Sequence, residues 1–218
     1  MSFRTNPFLS TLGSNRPVGF DVVHRDVALQ ALKERRLLRT ADLLDSGHPV
    51  VGDPAFLRHR LRQPMPMPFA GSVGEYAPLS VTPATRAAYA TSTSYKAAPI
   101  SRADLVVIAI DVEELSRYGL KPLVTDRSTL TAGCTISDDL GSLKSVPWHR
   151  IHARQLRSDG PDAKGYDTEI LVWGGVPLTG NARIICPDAA SRARFEAEAE
   201  VAKLTIDVVV VEEPNAFF

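Results

Sequence analysis

The stretch KGYDTEILVWGGVPL, Lys164–Leu178, decides the fold class, because it contains an apolar strand, TEILVW, closed by a Gly-Gly turn. It also carries a carboxylate at the mouth of that strand. Strand alternation places Glu169 on the same face as Leu171 and Trp173, while Thr168, Ile170 and Val172 face the other way. A charge on an apolar face costs free energy unless it is paired, hydrogen-bonded or used. Two readings follow: Glu169 is the solvated first residue of a buried strand, or it is a carboxylate placed for chemistry.

Working outward, ARIICP reads as a second strand, residues 189–204 as an Ala/Glu/Arg-rich helix and TIDVVVVEE as a further strand. Upstream, DLVVIAIDVEEL (104–115) reads as a buried strand bounded by acids. Nearer the N-terminus a short β run, Phe20–Val23, feeds an amphipathic helix with Asp26 as N-cap before Val27, Leu29, Ala31 and Leu32. Between them, residues 47–99 are rich in Pro, Gly, Ser and Thr. Prolines 64, 66, 68, 78 and 83 exclude long regular elements there and favour extended segments and loops. The stretch from Gly119 to Leu156 reads as a short strand, a loop and a helix around Trp148–Leu156. Few helices are long enough to serve as regular crossovers, so the pattern favours α+β over a doubly wound parallel sheet. There is no internal repeat and no low-complexity tract. Residues 1–17 have no periodicity and read as an N-terminal arm, with one domain over 18–218.

Composition removes several function classes. Lys and Arg total 25 and Asp and Glu total 25, so no global field draws the chain to nucleic acid, an anionic membrane or an acidic substrate. Any such partner must be held by local patches. The two cysteines, Cys134 and Cys186, form neither a disulfide framework nor a metal-ligand pattern, and no metal is expected. No stretch approaches the roughly 20 apolar residues of a membrane span. The opening residues lack the apolar core of a signal peptide, so the expected location is the cytoplasm.

No phosphate loop, GxGxxG turn, GxSxG elbow or HExxH helix is present. Charged groups in unusual places are the remaining candidates. His24, at a strand-to-helix junction, suits either a ligand at a helix start or a cap. The run RHRLR, 58–62, suits phosphate binding through guanidinium forks or a solvated face. In KSVPWHRIHARQLR, Trp148 interleaves with bases, as in nucleic-acid stacking, or joins Ile151 and Leu156 in a core stripe.

Order and spacing together are more specific than any of these alone. From about Phe20 to Ile185 the chain resembles the DarT family of NAD-dependent DNA ADP-ribosyltransferase toxins. The landmarks are the RRLL ending at Leu38, the Arg-rich run, GSVGEYAPLSVTPATRAAYA, VTDR, VPWHRI and KGYDTEILV. The resemblance implies an ADP-ribosyltransferase fold: a single α+β domain with central mixed or antiparallel sheets flanked by helices. It implies that the protein moves ADP-ribose from NAD to a nucleobase, in single-stranded DNA, as a toxin-like activity partnered by an ADP-ribosyl hydrolase antitoxin.

Carried over residue by residue, it implies that Glu169 and Arg60 are catalytic and that Asp21, Val23, His24, Leu38 and Arg60 line the NAD site. Tyr76, Tyr89, Arg127, Trp148 and Lys164 fall at substrate-facing positions, with residues 128–168 as the substrate-facing loop region. The chemistry fits these residue types. Cleaving the nicotinamide glycosidic bond develops positive charge on the ribose, which a carboxylate bound to a ribose hydroxyl can stabilise.

The chain departs from the family at three places, the first being ERR, which reads RHR at 58–60. The opening HxTHxDN signature keeps only His24 and Asp26, with Asp21, Val23 and Val27 at its other polar positions. The PRSPM segment reads PATRA, 83–87. These departures leave two alternatives: the same fold with an RNA, protein or small-molecule acceptor, and a non-catalytic binding scaffold.

Overall fold

Ten strands and seven α-helices follow one another in the computed structural model, which describes residues 17–94, 97–153, 155, 165–178, 182–204 and 208–217. Strand β1 (Val18–His24) leads into helix α1 (Arg25–Glu34), and β2 (Arg36–Leu37) into α2 (Thr40–Asp45) and α3 (Pro54–Arg62). Strand β3 (Tyr76–Ser80), α4 (Arg86–Ser92), β4 (Leu105–Asp111) and α5 (Val112–Leu115) come next. Then follow β5 (Leu123–Thr125), β6 (Ile136–Ser137), α6 (Trp148–His152) and β7 (Glu169–Trp173). Strands β8 (Val176–Pro177) and β9 (Ala182–Cys186), α7 (Ala189–Val201) and β10 (Val209–Glu212) complete the order. The expected N-terminal arm falls, through residue 16, outside the described residues, as do Lys164 and Leu156.

Eight strands form one mixed sheet in the order β10-β9-β4-β1-β3-β7-β5-β6, and β2 pairs with β8 apart from it. Among the described residues only β9 and β10 are parallel, as expected where the 13-residue α7 supplies a crossover. The other pairs are antiparallel, in keeping with the α+β expectation. Strand β4, LVVIAID, is buried almost throughout because it lies between β1 and β9 with both faces covered. The principal core joins Phe20, Val107, Ile108, Ile110, Ile170, Val172, Ile184 and Phe195. A smaller core on the other side of β7 holds Met65, Val73, Tyr76, Leu123 and Leu171. The two cores realise the alternation read from TEILVW: Ile170 and Val172 enter one, Leu171 the other.

The centre of the sheet is poorly joined. Strand β1 pairs with β4 along its length, from Val18 opposite Asp111 to His24 opposite Leu105. It meets β3 in register only at Phe20 opposite Ser80. Gly19 makes that approach possible, since a Cβ there would lie 2.8 Å from the Leu79 Cβ. Beyond the joint the strands diverge. Pro78 sits in the diverging part, opposite Leu171 of β7. A proline has no N–H for a ladder and is tolerated inside a sheet only where its nitrogen needs no partner. The divergence of β1 supplies such a place.

Four local expectations are corrected. The N-cap of α1 is His24, not Asp26: its Nδ1 accepts from the Asp26 N–H at 3.2 Å. The stretch 104–115 is not one strand, because Asp111 caps a helical turn by accepting from Glu113 N and Glu114 N. The Pro-rich region holds two helices, α3 and α4, as well as a strand of the main sheet. Helix α3 ends before Pro64, and its start carries Asp53 as N-cap with Pro54 at the first position, where a missing N–H costs nothing. Finally, α7 stops at Val201 rather than 204.

Candidate active site

The divergence of β1 from β3 opens a cleft enclosing about 850 Å³, its open mouth included. Asp21, Val23 and His24 line it from β1, Pro78 and Ser80 from β3, and Thr40 and Leu43 from α2. Helix α3 adds Phe56, Leu57 and Arg60, and Leu38 and Glu169 complete the part of interest. All five positions implied for NAD and the implied catalytic glutamate thus lie on one cavity.

Glu169 is held from two sides. Its Oε1 accepts from Arg60 Nη1 at 2.5 Å, and its Oε2 accepts from the Thr129 backbone N–H at 3.1 Å and hydroxyl at 2.9 Å. The Thr129 hydroxyl also accepts from Arg60 Nη1 at 3.2 Å, which closes a triangle of side chains from α3, β7 and the loop after β5. Below it, the Glu169 N–H donates to Thr125 Oγ1 at 2.8 Å. The carboxylate is therefore fixed before any substrate arrives.

Arg60 is 2% exposed, although Arg58, His59 and Arg62 beside it on α3 are exposed. The RHRLR run is thus a solvated face with one member turned inward. Arg60 Nε and Nη2 are buried and have no protein acceptor. Buried guanidinium N–H groups without partners are costly, and an anionic substrate group placed there would relieve the cost.

Asp21 shares the cleft. Burial raises its carboxyl to about 7 even though the Arg60 charge opposes the shift. In His24, burial lowers the imidazole below its ordinary value, against the pull of Asp26. A neutral ring can accept the Asp26 N–H, so the environment that lines the cleft also preserves the helix cap.

The implied substrate positions are scattered by comparison. Tyr76 is buried in the smaller core, donates to the Ala70 carbonyl at 3.1 Å and meets Trp173 edge-on at 5.0 Å, so it packs rather than lining the cleft. Trp148 packs against the main core, and its Nε1 donates to the Leu143 carbonyl at 3.1 Å. Arg127 pairs with Asp126 at 2.5 Å. Tyr89 is partly exposed on α4, and Lys164 lies outside the described residues.

Two threonines that position Glu169 are not singled out by the sequence: Thr125 lies inside the VTDR landmark, and Thr129 lies two residues beyond it. A threonine has no pattern of its own in a short strand or a loop, and the nearness of both to VTDR is the one signal available. Among the described residues, no group of three or more His, Cys, Asp or Glu could hold a metal ion, and no helix is long and apolar enough to cross a membrane.

Residues 20–218 match the model of a family described as ssDNA thymidine ADP-ribosyltransferase, DarT. The chain belongs to the DarT family. The enzyme class expected from the sequence, an NAD-dependent ADP-ribosyltransferase, is the class of this family. A DNA ADP-ribosyl transferase of Escherichia coli O127:H6 is 23% identical over 152 residues, 67% of this chain and 69% of the relative. Among solved structures, DarT of Thermus sp. 2.9 in complex with ADP-ribosylated ssDNA superposes with a TM-score of 0.80 at 16% identity, covering 94% of this chain and 98% of that one. The same DarT in complex with NAD+ gives 0.78 at 14% identity, covering 94% and 99%. DarTG of Thermosipho africanus in complex with ADP-ribose gives 0.73 at 16%, covering 92% of this chain and 51% of that one. At these identities the structural likeness shows the DarT fold.

Proposed function

We propose that this chain is a single catalytic domain over residues 18–218 that transfers ADP-ribose from NAD to a thymidine base in single-stranded DNA. The observation that carries the proposal is Glu169, a carboxylate fixed by Arg60 and Thr129 at the wall of the cleft that gathers the residues implied for NAD. NAD enters the cleft between β1 and α3, and Glu169 accepts a hydroxyl of the nicotinamide ribose. As the glycosidic bond breaks, its electron pair passes to the nicotinamide nitrogen and the sugar carbon becomes cationic. A preorganised anion stabilises that charge without reorganising at the moment of reaction. Arg60 holds Glu169 in place and offers Nε and Nη2 to an anionic group of the substrate. Asp21 lines the same cleft and would accept a ligand hydroxyl.

A base-modifying enzyme needs an unstacked base, which a single strand supplies without the cost of extrusion. A cognate ADP-ribosyl hydrolase as antitoxin is part of the proposal. Intact-mass measurement after incubation with NAD and mixed-sequence single strands is the test. We expect an ADP-ribose increment on DNA, with a loss of about 10²-fold or more in Glu169→Gln. Modification confined to RNA or protein would transfer the proposal to that acceptor. Failure to bind NAD would leave a scaffold.

A further inference from the structure

A carboxyl outside the cleft stands beside the catalytic glutamate. Asp167 lies two residues before Glu169, in a segment anchored on both sides. Tyr166, 3% exposed, donates its hydroxyl to the Ala84 carbonyl at 2.9 Å, and Thr168 is equally buried. Asp167 Oδ1 meets Arg86 Nε at 3.3 Å. Arg86 is flanked by Thr85 and Ala87, which line the cleft, while Asp167 does not line it. The pair therefore sits on the rim where the start of α4 meets the start of β7, beside Glu169 and outside the donor cavity. The acceptor must approach the ribose carbon from outside that cavity.

The reaction needs a proton acceptor. A thymine within a strand has one ring N–H, and bonding its nitrogen to the ribose carbon releases that proton. Arg60 cannot take it, because a guanidinium stays protonated in proteins. Both Glu169 oxygens are engaged by Arg60 and Thr129, and the proposed function commits its charge to the ribose. Asp21 lies inside the cleft, on the donor side.

Resting on the transferase function proposed above, we infer that Asp167 is the general base that accepts the ring proton of the acceptor base. The nitrogen–hydrogen bond breaks as the nitrogen–C1 bond to the ribose forms. The glycosidic electron pair leaves with neutral nicotinamide, and the proton ends on the Asp167 carboxylate. Arg86 holds that carboxylate from the solvent side. Burial raises the Asp167 carboxyl to about 6, with the Arg86 charge opposing and Glu169 adding to the rise. The group is thus ionised at neutral pH while retaining a useful proton affinity.

The test compares DNA modification with nicotinamide release to water in the absence of DNA, from about pH 5 to pH 9. Wild type, Asp167→Asn, Asp167→Glu and Arg86→Gln are measured, with NAD affinity by calorimetry as the check of folding and Glu169→Gln as reference. Asp167→Asn is expected to lower DNA modification by about 10²-fold or more, and nicotinamide release by less than about tenfold. Asp167→Glu restores part of the DNA reaction. The wild-type DNA rate falls with acid below about pH 6, and this limb is absent from Asp167→Asn. Arg86→Gln removes the charge that lowers the Asp167 proton affinity and moves the limb to higher pH. Wild-type DNA modification in Asp167→Asn, or equal loss of both reactions with the acid limb intact, overturns the inference and leaves the proposed function standing. A wild-type protein that binds NAD and modifies no DNA overturns both.

Discussion

Asp21 offers the clearest residue-scale test of the cleft's electrostatics. Its ordinary value is 3.8, and burial raises it to about 7 in the fold against the Arg60 charge. Between those values the folded protein holds a proton that the unfolded chain has released. Stability from this group is therefore lost as pH rises from about 4 to about 7, and the penalty is complete above that. Asp21→Asn removes the titration. Its Tm relative to wild type should rise across that interval and level off above pH 7. A difference independent of pH would show that the Asp21 carboxyl is already ionised at low pH. Legibility at this scale followed the cost of burying charge. Glu169 announced itself as a carboxylate on an apolar strand, and Arg60 only through resemblance, since nothing in RHRLR distinguishes the inward arginine. Thr129 is marked only by its nearness to VTDR, because its partner lies 40 residues away and a threonine hydroxyl suits many places.

At the scale of elements, the joint between β1 and β3 depends on an absent side chain. Gly19→Val would place its Cβ at 2.8 Å from the Leu79 Cβ, in strands that cannot both yield without losing their other partners. We expect destabilisation of about 1–3 kcal/mol by chemical denaturation, with weaker NAD binding because the mouth of the cleft is re-spaced. Unchanged stability would mean that the joint is slack. Strands and helices with a single strong period were legible: β4, β7, β9 and α7 all occur where alternation or composition puts them. The Pro-rich third was not, because proline statistics speak against long elements and α3, β3 and α4 are short. The Asp53-Pro54 pair is a helix-start signal in its own right. The five prolines downstream of it point the other way.

Over the whole molecule, α+β character was readable from the scarcity of crossover helices, but strand order was not. Nothing in a single chain's periodicity brings β1, near the N-terminus, between β3 and β4, or β7 against β3 across nearly a hundred residues. That placement follows from which apolar faces find cover together. It leaves a sheet whose two wings, β10-β9-β4-β1 and β3-β7-β5-β6, share one register pair. Such a sheet has a fault line. Amides of β1 that do not face β4 should exchange hydrogen much faster than those that do, by local opening that leaves both wings folded. NAD, by bridging the wings, should slow exchange at these amides selectively. Equal protection on both edges of β1 without ligand would contradict this. The site would then be a place where the molecule is held together partly by what it consumes, and each turnover would briefly return it to its looser state.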